Sequence, residues 1–327
     1  MTKPSPEPAR ATVPGSYPGR VSRTEVDTAA DAPRTFARWR DRWTRPVLIA
    51  NLIAQIAIVV TGGAVRLTGS GLGCSTWPQC EPGHFTPKFH EALTIHPYIE
   101  FGNRTLTGVL GVIALLVAIV VWTRRDRVAS YRWLGFAPLI GVLAQAVIGG
   151  ITVRVDLHPG WVSTHFLVSM LLIVTSAILL DRSAEGDGAP RPVVGTWSRR
   201  LAPVFAVLLG VVLVLGAITT GAGPHSGDDE IAYRFAIDPL LMARVHAAAV
   251  WLFTAVLVTL LVLNRRAPRP VPRLGMTVAV LVVLQGVIGY VQVATDLPIL
   301  LVVLHMAAAG MLTAGSTRYL MSFRVRD

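Results

Sequence analysis

The sequence predicts an all-α integral membrane protein whose eight transmembrane helices form two pseudo-symmetric four-helix bundles. Three observations lead there. The chain of 327 residues is 52% apolar and only 15% charged, where a soluble domain carries about 25% charged residues. Eight nearly uncharged runs lie near residues 46–65, 102–122, 133–152, 161–180, 201–220, 240–263, 274–294 and 298–318, each close to the roughly 20 residues a helix needs to cross hydrocarbon. At an offset of 140 positions, Gln145-Ala-Val-Ile-Gly149 faces Gln285-Gly-Val-Ile-Gly289, Asp156 faces Asp296, and His165 faces His305.

Within a bilayer each run must satisfy its own backbone, so the runs are helices and not open strands. The segments between them carry nine, four, four, four and three Lys+Arg on one side and two, one, one and none on the other. The positive-inside rule then places both termini in the cytoplasm. Residues 1–44 are rich in Pro, Arg and Ala and lack a signal-peptide apolar core, and read as a disordered cytoplasmic tail. The first half covers 45–180, a polar cytoplasmic linker covers 181–200, the second half covers 201–318, and 319–327 form a second cytoplasmic tail. The halves contain an even number of spans, so the repeats are parallel and equivalent sites share one depth. A net charge of +11 does not indicate nucleic acid, because the basic residues gather in loops at one membrane face and not on a soluble surface with stacking aromatics. The partner they imply is membrane lipid. A bias of 28 Arg to two Lys, Lys3 and Lys88, points to a high-GC bacterial genome.

Ionisable residues inside membrane helices usually face a bundle interior. His165, His246 and His305 lie in the fourth, sixth and eighth spans, all near the outer face. A histidine in such a place is a packed, hydrogen-bonded core residue, a proton relay, or a metal or haem ligand; His246 and His305, from two spans of one half at similar depth, have the arrangement for two axial ligands on one haem iron. A zinc site needs three or four N/S ligands and finds only two there. In the first half the position corresponding to His246 is Asn103, a poor iron ligand, and His96 lies two turns before it. His165 thus has no obvious histidine opposite it, with His96 the candidate second ligand; a one-ligand site with an open face suits chemistry, while a saturated site suits electron transfer. Glu100 has two readings: an acid satisfying a helix N-terminus, or a proton-handling group beside a substrate. Arg104 and Arg244, at the mouths of the second and sixth spans, either pair with anions such as haem propionates or snorkel to the interface.

Cys74 and Cys80 are the only cysteines. The topology puts both outside, where a C-x5-C loop reads as a disulfide, either a staple or a redox-active pair. The loop 223-GPHSGDDE-230, with His225 and its acids, reads as solvated.

These motifs together resemble the heme A synthase family in its bacterial, actinobacterial-like form. The resemblance covers about residues 46–318 and rests on TGSGLGCSTWPQC, IEFGNRTLTG, QAVIGGITV with WVSTHF, ARVHAAAVW and VVLHMAAAG. It implies a membrane oxidoreductase that converts heme O to heme A for cytochrome oxidase, by successive hydroxylations of the C8 methyl group. It also implies haem b on His246 and His305, a substrate haem on His165, Glu100 as catalytic carboxylate, and a Cys74–Cys80 disulfide. The family's E-x-x-H-R motif reads Glu100-Phe-Gly-Asn103-Arg104 here, so the second ligand of the substrate haem is missing from its usual place. A heme O synthase is the implied supplier, the electron donor is not specified by the sequence, and a bacterial plasma membrane is the expected location. A b-type cytochrome that only passes electrons from quinol, and a proton-coupled transporter, are the alternative functions.

Overall fold

The computed structural model describes residues 1–2, 23–88, 95–228, 230 and 233–327, and only the backbone of residues 23–34. Two compact units divide the chain, Met1–Arg42 and Trp43–Asp327. The elements are α1 (Arg23–Leu67), α2 (His96–Trp122), α3 (Ala129–Leu134), α4 (Ala137–Arg154), α5 (Pro159–Ala184), β1 (Arg191–Pro192), α6 (Thr196–Ala222), α7 (Pro239–Leu263), α8 (Val271–Ala294), α9 (Ile299–Met321) and β2 (Arg324–Val325).

Within the described residues, eight helical segments are long and apolar enough to cross a membrane, with α3 and α4 forming one span over Ala129–Arg154. The span breaks at Gly135 and Phe136, just before Pro138 in the first turn of α4. A Cβ at Gly135 would stand 2.6 Å from the Val121 side chain, so the break brings the chain hard against α2. Ile140, Leu143 and Val147 of α4 and Met276, Val280, Val283 and Val287 of α8 form exposed stripes. In water such stripes would drive association; in hydrocarbon they are the normal outer face of a span.

The tail expected over 1–44 is corrected in its described part: the backbone is helical from Arg23, while residues 3–22 lie outside the described residues. Once the apolar span has nucleated a helix, adding good formers such as Ala and Arg costs little. Phe36 and Trp39 stack there at 5.9 Å. Other boundaries extend a few residues past the expected ones, to Ala184, Thr196 and Met321.

In the second half α6, α7, α8 and α9 pack as a ring, α6 also meeting α9. Its core is Phe205, Leu209, Phe253, Leu257, Val278 and Tyr319 among others, with Phe205 stacked on Phe253 at 4.6 Å. In the first half α2 packs on α4 and α4 on α5, and Leu48 joins Val117, Val121 and Leu179. The halves meet where α5 touches α6 and α9, around Val59, Met170, Ile173 and Ala314. Asn51 Nδ2 donates to Ser176 Oγ at 2.9 Å in the interior, a pairing that hydrocarbon requires of any buried amide.

The repeat is visible in the turns. Asp156 and Leu157 have φ of 50° and 56°, and Asp296 and Leu297 have 56° and 58°. In each turn the leucine N–H closes on a carbonyl five residues back, Leu157 on Thr152 at 3.0 Å and Leu297 on Gln292 at 2.7 Å. The matching Asp-Leu pairs thus give matching left-handed turns between α4 and α5 and between α8 and α9.

At the end of the molecule carrying the linker, β1 pairs antiparallel with β2, so the linker and the C-terminal segment are bound together. Asp187 accepts from Arg127 Nε at 3.0 Å and from the Val128 N–H at 2.8 Å, and the Arg127 hydrogen bond holds its carboxyl below the usual carboxylate range. A depressed folded value means stabilisation that is fully present above the unfolded value of about 3.9 and is lost as pH falls through the folded value. Asp187→Asn is therefore expected to destabilise the detergent-solubilised protein at pH 7 by about 1 kcal/mol or less, read as a lower melting temperature. The gap from wild type should shrink below about pH 4; a gap constant with pH would assign Asp187 a role independent of its charge.

Candidate functional site

At the opposite end, Cys74 and Cys80 form a disulfide with an S–S distance of 2.06 Å, and both are fully buried. The loop they close is held by α2. The Cys74 N–H donates to Glu100 Oε2 at 2.7 Å. Arg104, one turn on, donates from Nε and Nη2 to Glu100 Oε1 and from Nη1 to the carbonyls of Thr76 at 2.8 Å and Gln79 at 3.1 Å. Residues four apart share a helix face, so the pair brackets the loop. Glu100 is 5% exposed: it is a buried, ion-paired carboxylate and not a solvated helix-end acid. Arg104 directs its guanidinium at Glu100 and the loop. Arg244 is exposed in the first turns of α7.

The loop reaches the interior through Trp77, since a Cβ at Gly150 would lie 2.8 Å from its indole. Beside Gly150, Gly149 underlies His165. His96 sits higher, with Nδ1 hydrogen-bonded to Ser70 Oγ at 2.8 Å.

The loop 223–230, expected to be solvated, is corrected in its described part. Gly223, Ser226 and Gly227 are buried, and the His225 ring contacts the Leu297 carbonyl at 3.2 Å. The Gly71 N–H donates to the Gly227 carbonyl at 2.8 Å, and Arg66 Nε donates to the His225 carbonyl at 2.8 Å. Two glycines let the backbones touch, and Arg66, at the end of a span, finds its acceptors there instead of in water.

The three histidines share one geometry. Each imidazole lies over a glycine of the preceding span: an ideal Cβ would stand 3.4 Å from His165 at Gly149, 3.2 Å from His246 at Gly216, and 3.5 Å from His305 at Gly289. Asn103 takes the fourth place, its amide nitrogen 4.0 Å from an ideal Cβ at Gly62. Nδ1 of all three histidines is buried with no hydrogen-bond partner, although the Val212 carbonyl lies near the His246 ring outside hydrogen-bond geometry. His246 and His305 are near enough for a charge on one to act on the other. Gln145 Nε2 donates to the His165 carbonyl at 2.9 Å, and Gln285, its repeat mate, is buried at the same level.

An orphaned buried polar atom costs about 1–3 kcal/mol, and imidazoles without protein partners over side-chain-free cradles are suited to a planar metal complex. The residues fit haem. Among the described residues no three His, Cys, Asp or Glu gather as a metal cluster, so the three- or four-ligand set of a zinc site is not built there. The sequence indicated the histidines but not their surroundings. Thr61, Trp77 and the glycines under the rings were missed, although Gly149 and Gly289 recur within the repeat and carried a usable signal.

Fold and site define a polytopic helical membrane protein with histidines set over glycines in alternate spans. The chain belongs to the family described as cytochrome oxidase assembly protein, COX15-CtaA, whose pattern matches residues 45–236. Proteins named heme A synthase are similar to it. One from Rhizorhabdus wittichii is 28% identical over 343 residues, covering 88% of this chain and 94% of that protein. One from Staphylococcus saprophyticus is 26% identical over 292 residues, covering 83% and 91%. One from Lysinibacillus sphaericus is 28% identical over 154 residues, covering 45% of this chain, and there the match spans about half, 49%, of the relative's length.

Proposed function

We propose that the chain converts heme O to heme A, oxidising the C8 methyl group to a formyl group by two successive hydroxylations. Family membership and the relatives' names support this reading. The observation that carries it is the set of three histidines over glycines, two of them paired in one half and one alone in the other. Each hydroxylation consumes one oxygen molecule, two electrons and two protons and releases one water. The second gives a geminal diol, which loses water to become the formyl group.

His246 and His305 hold a haem b, with Gly216 and Gly289 leaving room for their rings. A haem bound by two histidines supplies electrons one at a time. His165 binds the substrate haem, and Trp77, carried by the Cys74–Cys80 loop, covers that site. Glu100 handles protons beside the reacting group, Arg104 fixes both Glu100 and the loop, and Arg244 meets a propionate. Heme O comes from a heme O synthase, electrons come from an external donor, and the protein lies in a bacterial plasma membrane with both termini cytoplasmic and the disulfide loop outside.

The test is extraction and chromatography of the haems from protein made with and without a heme O supply. Heme A or a hydroxylated intermediate beside haem b is expected when heme O is present. Haem b alone under both conditions would identify a plain b-type cytochrome, and no haem at all would favour a transporter.

A further inference from the structure

Asn103 alone breaks the pattern of imidazole over glycine. Its conformation is set from the preceding helix, where Thr61 Oγ1 donates to Asn103 Oδ1 at 2.8 Å. With the carbonyl oxygen engaged, the amide nitrogen is left as a donor, close to Gly62 and with no partner among the described residues. A carboxamide is a poor iron ligand, but its N–H is a good hydrogen-bond donor. His96, the other candidate to face His165, lies seven residues earlier, about 10 Å up the helix, with its ring tied to Ser70.

We propose that the substrate haem of the first half is held by His165 alone, and that Asn103, oriented by Thr61, donates a hydrogen bond to the small ligand on the opposite face of that iron. The proposal rests on the function given above and assigns a specificity to one of its sites. The second half, with two histidines, presents no such open face. In this arrangement the residue that replaces a fourth histidine keeps one iron accessible and gives its ligand a polar contact from a half-buried amide.

The test uses the full chain, purified in detergent with its haems, and carbon monoxide as probe on the reduced protein. Wild type should contain a low-spin haem that ignores carbon monoxide and a second haem that binds it. Asn103→His should convert the second haem to low spin and weaken its carbon monoxide binding at least tenfold. Asn103→Leu should still bind carbon monoxide, with the C–O stretch moved to higher frequency because the hydrogen bond is gone. Thr61→Val, which frees the amide without removing it, should broaden that band toward the position seen in Asn103→Leu. The two latter variants carry the test if Asn103→His does not fold. Entirely low-spin haem in the wild type, or a C–O stretch unmoved in Asn103→Leu, would overturn the proposal while leaving the heme A synthase reading intact. Absence of any haem would remove that reading, and this one with it.

Discussion

Replacing His246 or His305 with alanine is expected to abolish the low-spin haem signal while the protein still reaches the membrane in normal amount. Insertion depends on the hydrophobicity of whole helices, and one imidazole among twenty-odd apolar residues contributes little to it. Haem retention in a two-ligand site depends on both ligands, because the remaining histidine leaves iron open on one face. The two rings come from α7 and α9, one ligand from each, so both variants should lose the signal. A second pair of substitutions separates ligand from shape. Gly216→Leu and Gly289→Leu keep both histidines but drive a side chain into space where even a Cβ would stand 3.2 Å and 3.5 Å from the rings. They should also lose the low-spin signal. An unchanged visible spectrum in both alanine variants would reject the assignment, and an unchanged spectrum in both leucine variants would show that the glycines have no part in holding the haem.

The spans were legible because hydrocarbon imposes one requirement on every residue of a run, and eight runs of the right length are hard to mistake. The repeat was legible where it rests on uncommon residues: Asp156 and Asp296 matched in sequence and proved to share a left-handed turn. Contacts between distant segments were not legible. Nothing in the order of residues shows that Gly71 donates to Gly227 or that Glu100 accepts from Cys74, because such bonds depend on how loops fold back over the bundle. The glycines beneath the imidazoles were hidden for a different reason. Glycine is frequent in membrane helices and serves ordinary close packing, so its meaning appears only when the ring above it is placed. The start of α1 at Arg23 was hidden by composition, since a Pro- and Arg-rich segment reads as a tail until its continuity with an apolar helix is seen.

Glu100→Gln is expected to end heme A production, and the structure sets the controls needed to interpret that loss. The substitution keeps volume and an acceptor for the Cys74 N–H but removes the charge opposite Arg104. Unpairing a fully buried charge costs about 3–5 kcal/mol. The cost here should fall toward the low end, because the Arg104 side chain is 16% exposed and still donates to the carbonyls of Thr76 and Gln79. Some loss of product would therefore follow from a loosened loop alone. Arg104→Gln breaks the same ion pair and leaves the carboxylate in place. If Glu100 only clamps the loop, the two single variants should lose similar activity, and the double variant, with no unpaired charge, should recover part of it. If the carboxylate acts on the reacting haem, Arg104→Gln should retain a measurable fraction of product while Glu100→Gln and the double variant make none, with haem content and melting temperature reported for all three. The second pattern is the expected one. Normal heme A output from Glu100→Gln, or recovery in the double variant, would reduce Glu100 to a fastening for the disulfide loop.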